Sequence, residues 1–342
     1  MKIKFLSFLL LCALSINAQI FTQIPDSVFE QHLINLGYDN TIDSLVITDS
    51  ISSLDSLTII GFTGFEITNL SGIEDFSNLQ YLDCSINNID TLNLNLNANL
   101  KYLNCSANSL ELLLIDSLNA LDTLKCSFNN LSDLNTAGNG SLTVLECISN
   151  NIYSLNLDNN TFLGTVRCGH NNLSTLDLSA LDLYILQCEH NPITNINLAN
   201  NSSLKHLTCH DNSLQTINLN NNTNLEWLSV KNSDLLPPNN DLSTLDLSVN
   251  YNITNLYCNN NLNLYCIQAY DTSLINNWIY NIDSQQYFSE DCNYTAINET
   301  YKNSGKIISI KDIYGRESFT RKNSILFYIY ENGAAEKRII LQ

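Results

Sequence analysis

From about residue 57 to residue 265 apolar and polar positions recur in a fixed rhythm. Leu100-Lys-Tyr-Leu103-Asn-Cys105-Ser-Ala-Asn108-Ser-Leu110, followed by Leu113 and Ile115, is one copy. Its template is leucine, two residues, leucine, one residue, cysteine, two residues, asparagine, one residue, leucine, and then a second apolar pair. Copies start at Leu57, Leu79, Leu100, Leu121, Leu142, Leu163, Leu183, Leu204, Leu225 and Ile253. The cysteine place is held by Cys84, Cys105, Cys126, Cys147, Cys168, Cys188 and Cys209, then by Val230. Cys258 follows, after a seven-residue insertion that carries Pro237-Pro238, and Phe62 holds the place in a first, irregular copy.

The leucine–variable–cysteine alternation has period two, which predicts a strand with Leu103 and Cys105 inward and Asn104 outward. A coil of about 21 residues is too short to enclose its own core, so each must stack on the next, with parallel strands ~4.8 Å apart. Asn87, Asn108, Asn129, Asn150, Asn171, Asn191 and Asn212 stand where the chain leaves the strand. Their amides are placed to bond backbone groups of neighbouring coils, since a buried polar group left unpaired costs ~1–3 kcal/mol. A second ladder is expected at Asn97, Asn160, Asn201, Asn222 and Asn250.

These residues resemble the leucine-rich repeat family in its bacterial form of roughly 21 residues per repeat. Cysteine stands here where leucine is usual at the second inward position. The resemblance implies a curved solenoid with a strand-lined concave face that binds proteins or glycans.

Three roles compete for the column cysteines. Parallel in-register neighbours hold Cβ atoms ~4.8 Å apart and pointing the same way, whereas a disulfide wants ~3.5–4.5 Å and converging vectors. A metal site wants ligands converging on a point rather than a line. Buried free thiols remain the favoured reading. Cys266 and Cys292 lie outside the column and flank a non-repeat segment with Trp278, Tyr280, Tyr287 and Phe288. The last coil needs its open core covered, and a Cys266–Cys292 disulfide there is expected to contribute ~3 kcal/mol. The segment also resembles the C-terminal cap of similar bacterial repeat proteins. At the other end, Pro25-Asp26-Ser27 opens a helix with Val28, Phe29, Leu33 and Leu36 on one side and Gly37 as its stop.

The expected organisation is a signal segment at 1–18, an N-terminal cap at 20–56, repeats at 57–265, a C-terminal cap at 266–292 and an all-β tail at 293–342. The signal reading rests on Lys2 and Lys4, the apolar run Phe5 to Ile16, and Ala18-Gln19 at the cut. No later stretch has the length of a transmembrane helix. The chain carries 34 acids against 15 bases, a net charge of −19. Such a balance argues against nucleic-acid or anionic-membrane partners. The tail departs from it, with eight bases and four acids in residues 302–342.

Strand-like runs fall at Lys306 to Tyr314, Ile325 to Tyr330 and Lys337 to Leu341. Gly315-Arg316 follows the first, and the Glu331-Asn332-Gly333 turn separates the other two. These runs resemble a short type A sorting domain of type IX secretion. That resemblance implies export through that machinery, with the product secreted or attached to the outer cell surface. The plainer alternative is a small β appendage packed on the solenoid.

The chain shows no nucleophile elbow, zinc-protease motif, P-loop or dinucleotide fingerprint, and neither catalysis nor a cofactor is expected. Four of five histidines crowd into three copies: His170, His190, His206 and His210. His170, His190 and His210, with Asp211 on the next rung, form a candidate metal or pH-sensitive patch, set against simple drift at an exposed rim. The outward strand positions are the stronger candidates for function. Tyr81, Tyr102, Lys125, Arg167, His206, Trp227 and Tyr257 supply the aromatic and cationic anchors that usually carry binding energy. The expected function is recognition of an extracellular protein or glycan, with a passive surface component second and an enzyme third.

Overall fold

A computed structural model of the chain describes residues 19–62, 64–233, 239–292, 307–312, 324–330 and 335–340. The expected signal segment, Pro237-Pro238, Gly315-Arg316 and the Glu331-Asn332-Gly333 turn lie outside these residues. The chain divides into two compact units between Cys292 and Asn293.

The first unit is a solenoid whose main sheet has eleven parallel strands of three residues, from Ser56–Thr58 to Ile279–Asn281. Register is one coil to the next without slip: Leu82, Leu103, Leu124, Leu145, Val166, Leu186, Leu207, Leu228 and Leu256 pair in line. All nine are fully buried. Short parallel pairs recur where the chain runs back, as in Thr91–Asn93 beside Leu112–Leu114. The cysteine column is buried throughout, and all eight of its thiols are free.

The first coil corrects the sequence reading. Leu57 pairs with Leu82, so it holds the strand position and not the start of the copy. Ile59, fully buried, occupies the column place, while Ile60 and Phe62 are exposed. The register expected there was three residues out.

Both asparagine ladders form. Asn129 Nδ2 donates to the carbonyls of Cys105 and Cys126, each at 3.0 Å, and its Oδ1 accepts from Leu110 N at 3.0 Å. The pattern repeats in the coils that follow, and Asn240 preserves it across the insertion by donating to Cys209 O and Val230 O. The second ladder includes Asn139, which the sequence reading omitted; it donates to Ile115 O and Leu118 O. The residue before eight of the first-ladder asparagines has positive φ: Ile86, Ala107, Phe128, Ser149, His170, His190, Asp211 and Asn260 all lie at 52–62°. Left-handed backbone costs non-glycine residues ~1–2 kcal/mol, and the amide bonds of the next residue hold the turn in place.

The N-terminal helix spans Ser27–Asn35 with Asp26 as its cap. Asp26 accepts from Val28 N and Phe29 N, and also from Thr68 and Asn69, tying the helix to the solenoid. Phe29 and Leu33 are buried and Phe29 lies against Phe76, but Leu36 is exposed. An antiparallel ribbon, Phe21–Gln23 with Leu45–Ile47, adds to this cap. At the other end, within 266–292, the strands Ile279–Asn281 and Tyr287–Ser289 extend both sheets. Trp278, Ile282 and Phe288 pack on the core, and Cys266 and Cys292 form a disulfide with Cα atoms 5.8 Å apart. Gln286 closes the amide ladder by donating to Cys258 O and Asn261 O.

The second unit contains a three-stranded antiparallel sheet, Ile307–Asp312, Ser324–Tyr330 and Ala335–Ile340, with the middle strand central. Leu326, Tyr328 and Tyr330 are buried, with Ile310 against them. The ends of these strands fall within two residues of the expected runs. Among the described residues no helix is long and apolar enough to cross a membrane.

Candidate functional site

Because every main-sheet strand but the last, where Tyr280 is exposed, buries its central residue, the first and third residues of each stand on one outward grid. The grid carries all seven anchors singled out in the sequence, but in three groups and not as one focus. Tyr81 and Tyr102 stack with ring centroids 4.4 Å apart and planes within 5°. Burial, and then Tyr81 and Asp83, push the Tyr102 phenol up to about 12. Next along the sheet, Glu146 lies between the two bases. Lys125 Nζ stands 3.6 Å from Glu146 Oε2, and Arg167 bonds Glu146 Oε1. Glu146 was not among the anchors, yet an acid between two bases in one column was the signal for it.

The third group is the largest aromatic surface on the grid. His206 and Trp227 stack at 5.1 Å with planes 7° apart, and Tyr257 stands 5.1 Å beyond the indole, tilted by 35°. Burial, and then Arg167, hold the His206 imidazole below its usual value, so it is neutral at pH 7. Two shallow depressions flank this stack. One, of about 340 Å³, is lined by Tyr184, Lys205, Glu226 and Asn255 beside the His206–Trp227 pair. The other, of about 300 Å³, is lined by Gln187, His210, Ser229, Lys231 and Tyr257. Lys205 and Glu226 pair at 3.0 Å at the edge of the first. A larger depression, of about 640 Å³, lies away from the grid between Thr68–Glu74 and Asp90–Leu96. It has no aromatic or cationic lining, so the grid remains the better candidate.

The histidines form a rim beside this third group. The rings of His170 and His190 stack at 4.1 Å, and His210 meets His190 edge-on at 5.2 Å. His190 and His210 converge on the buried carboxylate of Asp211, whereas His170 contributes a ring face only.

No protein-family model and no curated protein matches the chain. Solved structures do. Internalin C2 from Listeria monocytogenes is 24% identical, superposes with a TM-score of 0.54, and is matched over 61% of this chain and 96% of its own. The fold is a leucine-rich repeat solenoid. The functional domain of InlJ from Listeria monocytogenes, described as including a cysteine ladder, is 20% identical over 95% of this chain and 100% of its own, with a TM-score of 0.41. The leucine-rich repeat domain of APL1 is 18% identical over 71% of this chain and 66% of its own, with a TM-score of 0.49.

Proposed function

We propose that this leucine-rich repeat chain is a secreted or surface-attached recognition protein, and that its strand face binds an extracellular protein or glycan. The observation that carries the reading is the His206–Trp227–Tyr257 stack, half-buried and flanked by two depressions and by Lys205 and Lys231. Aromatic planes locked on a sheet lose little ordering entropy on binding, and pyranose rings and peptide side chains both pack on such planes. The Lys125–Glu146–Arg167 run supplies polar specificity between the two aromatic groups. We further propose that residues 293–342 direct export through the type IX machinery. The antiparallel sheet, the basic balance of the tail and its resemblance to sorting domains support this.

Glycan and protein arrays probed with the full chain, in parallel with Trp227→Ala and Tyr257→Ala, test the first reading. Each variant is expected to lose about 30-fold in affinity for whatever the wild type binds, with an unchanged melting temperature. A passive surface role predicts binding that neither substitution alters, or none at all. Mass spectrometry of the protein recovered from its native host tests the second reading. The expected product lacks both the first 18 residues and the tail; a full-length C-terminus, retained inside the cell, would remove the export proposal.

A further inference from the structure

We propose that His190, His210 and Asp211 form a binding site for a divalent transition-metal ion of the zinc class, clipping two successive coils of the solenoid together. The three ligand atoms lie within 4.8 Å of one another. His190 Nε2 stands 3.3 Å and His210 Nε2 3.6 Å from the same oxygen, Asp211 Oδ2. Those separations are long for charge-assisted hydrogen bonds, which run at ~2.7–2.9 Å. They match two ligands sharing one cation, because tetrahedral zinc with bonds of 2.0–2.1 Å sets its ligand atoms about 3.3 Å apart.

The supporting contacts are those a metal site needs. Asp211 is 3% exposed, and its carboxylate is held by Ser233, whose N donates to Oδ1 at 2.6 Å and whose Oγ donates to Oδ2 at 2.5 Å. His210 Nδ1 lies 3.4 Å from Ser229 Oγ, so a second group orients the ring, and the stacked face of His170 steadies His190. A buried carboxylate requires a cation or several donors. Ser233 supplies two of those donors and leaves the face toward the imidazoles open. His190 comes from one coil, His210 and Asp211 from the next. An ion there would add a cross-link that the thiol column, being buried and linear, does not supply. Oxygen and nitrogen donors in a His₂Asp set favour zinc, nickel or copper(II) over calcium or magnesium.

The test is calorimetric titration of zinc chloride into the full, tag-free chain after treatment with a chelator, near neutral pH. One zinc per chain is expected to bind more tightly than about 100 μM. His190→Asn and His210→Gln should each weaken it at least about tenfold, since even second-sphere changes cost 10–100-fold. Asparagine suits position 190 because φ there is +52°. His170→Asn, at φ +54°, removes a stacked ring but no ligand atom, and should weaken zinc binding less than either of those two variants. Thermal melts of each variant without metal identify any that fail to fold. Saturating zinc should raise the melting temperature of the wild type and of His170→Asn by more than that of either of the others. Absence of binding up to about 1 mM zinc would overturn the proposal. Wild-type affinity in His190→Asn and His210→Gln would do so equally.

Discussion

Asn150→Ala is expected to cost the solenoid about 4 kcal/mol, a drop of roughly 10 °C in melting temperature, while Asn151→Ala at the exposed neighbouring position stays near zero. The side chain of Asn150 is almost wholly buried; its Nδ2 donates to Cys126 O at 3.0 Å and Cys147 O at 3.2 Å, and its Oδ1 accepts from Leu131 N at 3.1 Å. Alanine orphans Leu131 N–H in a space closed to solvent, a loss of ~1–3 kcal/mol, and takes one of two amide donors from each carbonyl, about 1 kcal/mol apiece, since Cys126 O keeps Asn129 and Cys147 O keeps Asn171. Asn150→Asp should be at least as damaging at neutral pH. It keeps the acceptor for Leu131 but sets a charge against two carbonyl oxygens. Position matters as well as chemistry. In a stack where each coil contacts only its neighbours, a lesion in the middle weakens two interfaces and should broaden the transition, or split it in two. Differential scanning calorimetry reads both effects. Equal shifts for Asn150→Ala and Asn151→Ala would mean that the amide ladder does not hold the coils together.

The same ladder explains how far the fold could be read from the chain. Wherever the cysteine and asparagine columns run together, as from Cys84 to Asn212, strand positions followed residue by residue, because two independent periodic signals pin one register. In the first coil both signals are missing. Apolar residues at 57, 59, 60 and 62 fit two registers equally well by sequence, and pairing of Leu57 with Leu82 decides between them. Asn139 was passed over because Thr136 stands where other copies carry the second residue of the apolar pair, as Leu157 does before Asn160. The left-handed turns were invisible for a different reason. Glycine normally marks such positions, and Ile86, Ala107 and Phe128 hold them here.

At the candidate site, alternation placed every anchor on the outward face. Which anchors touch depends on side-chain rotamers across coils, and a one-dimensional pattern does not carry that. Asp211 illustrates the limit. It shares a template position with His170 and His190, yet its carboxylate turns inward to Ser233 and makes the rim a three-ligand cluster.

The largest effect expected of this molecule is alkaline unfolding, and it comes from the column of thiols. Burial pushes every one of the eight upward: Cys209 and Cys258 to about 12, and the other six also raised. Once unfolded, the same thiols ionise near their ordinary value of 9.0. A folded-state pKa above the unfolded one favours the native state fully below pH 9, and that advantage is lost as pH climbs toward the folded value. At pH 10 each thiol then favours the unfolded chain by about 1.4 kcal/mol, and eight together by about 11 kcal/mol, close to the whole stability of an ordinary domain. The β signal in circular dichroism should therefore collapse cooperatively between about pH 10 and 11, with thiolate absorbance rising in the same step. Unfolding there should also be irreversible, since the freed thiolates can attack the Cys266–Cys292 disulfide. Replacing Cys105 and Cys147 with valine should move the midpoint upward, because Val230 already fills the same place fully buried. Thiolate absorbance that titrates near pH 9 while the circular dichroism holds steady would show the column open to water, and the packing described here would be wrong.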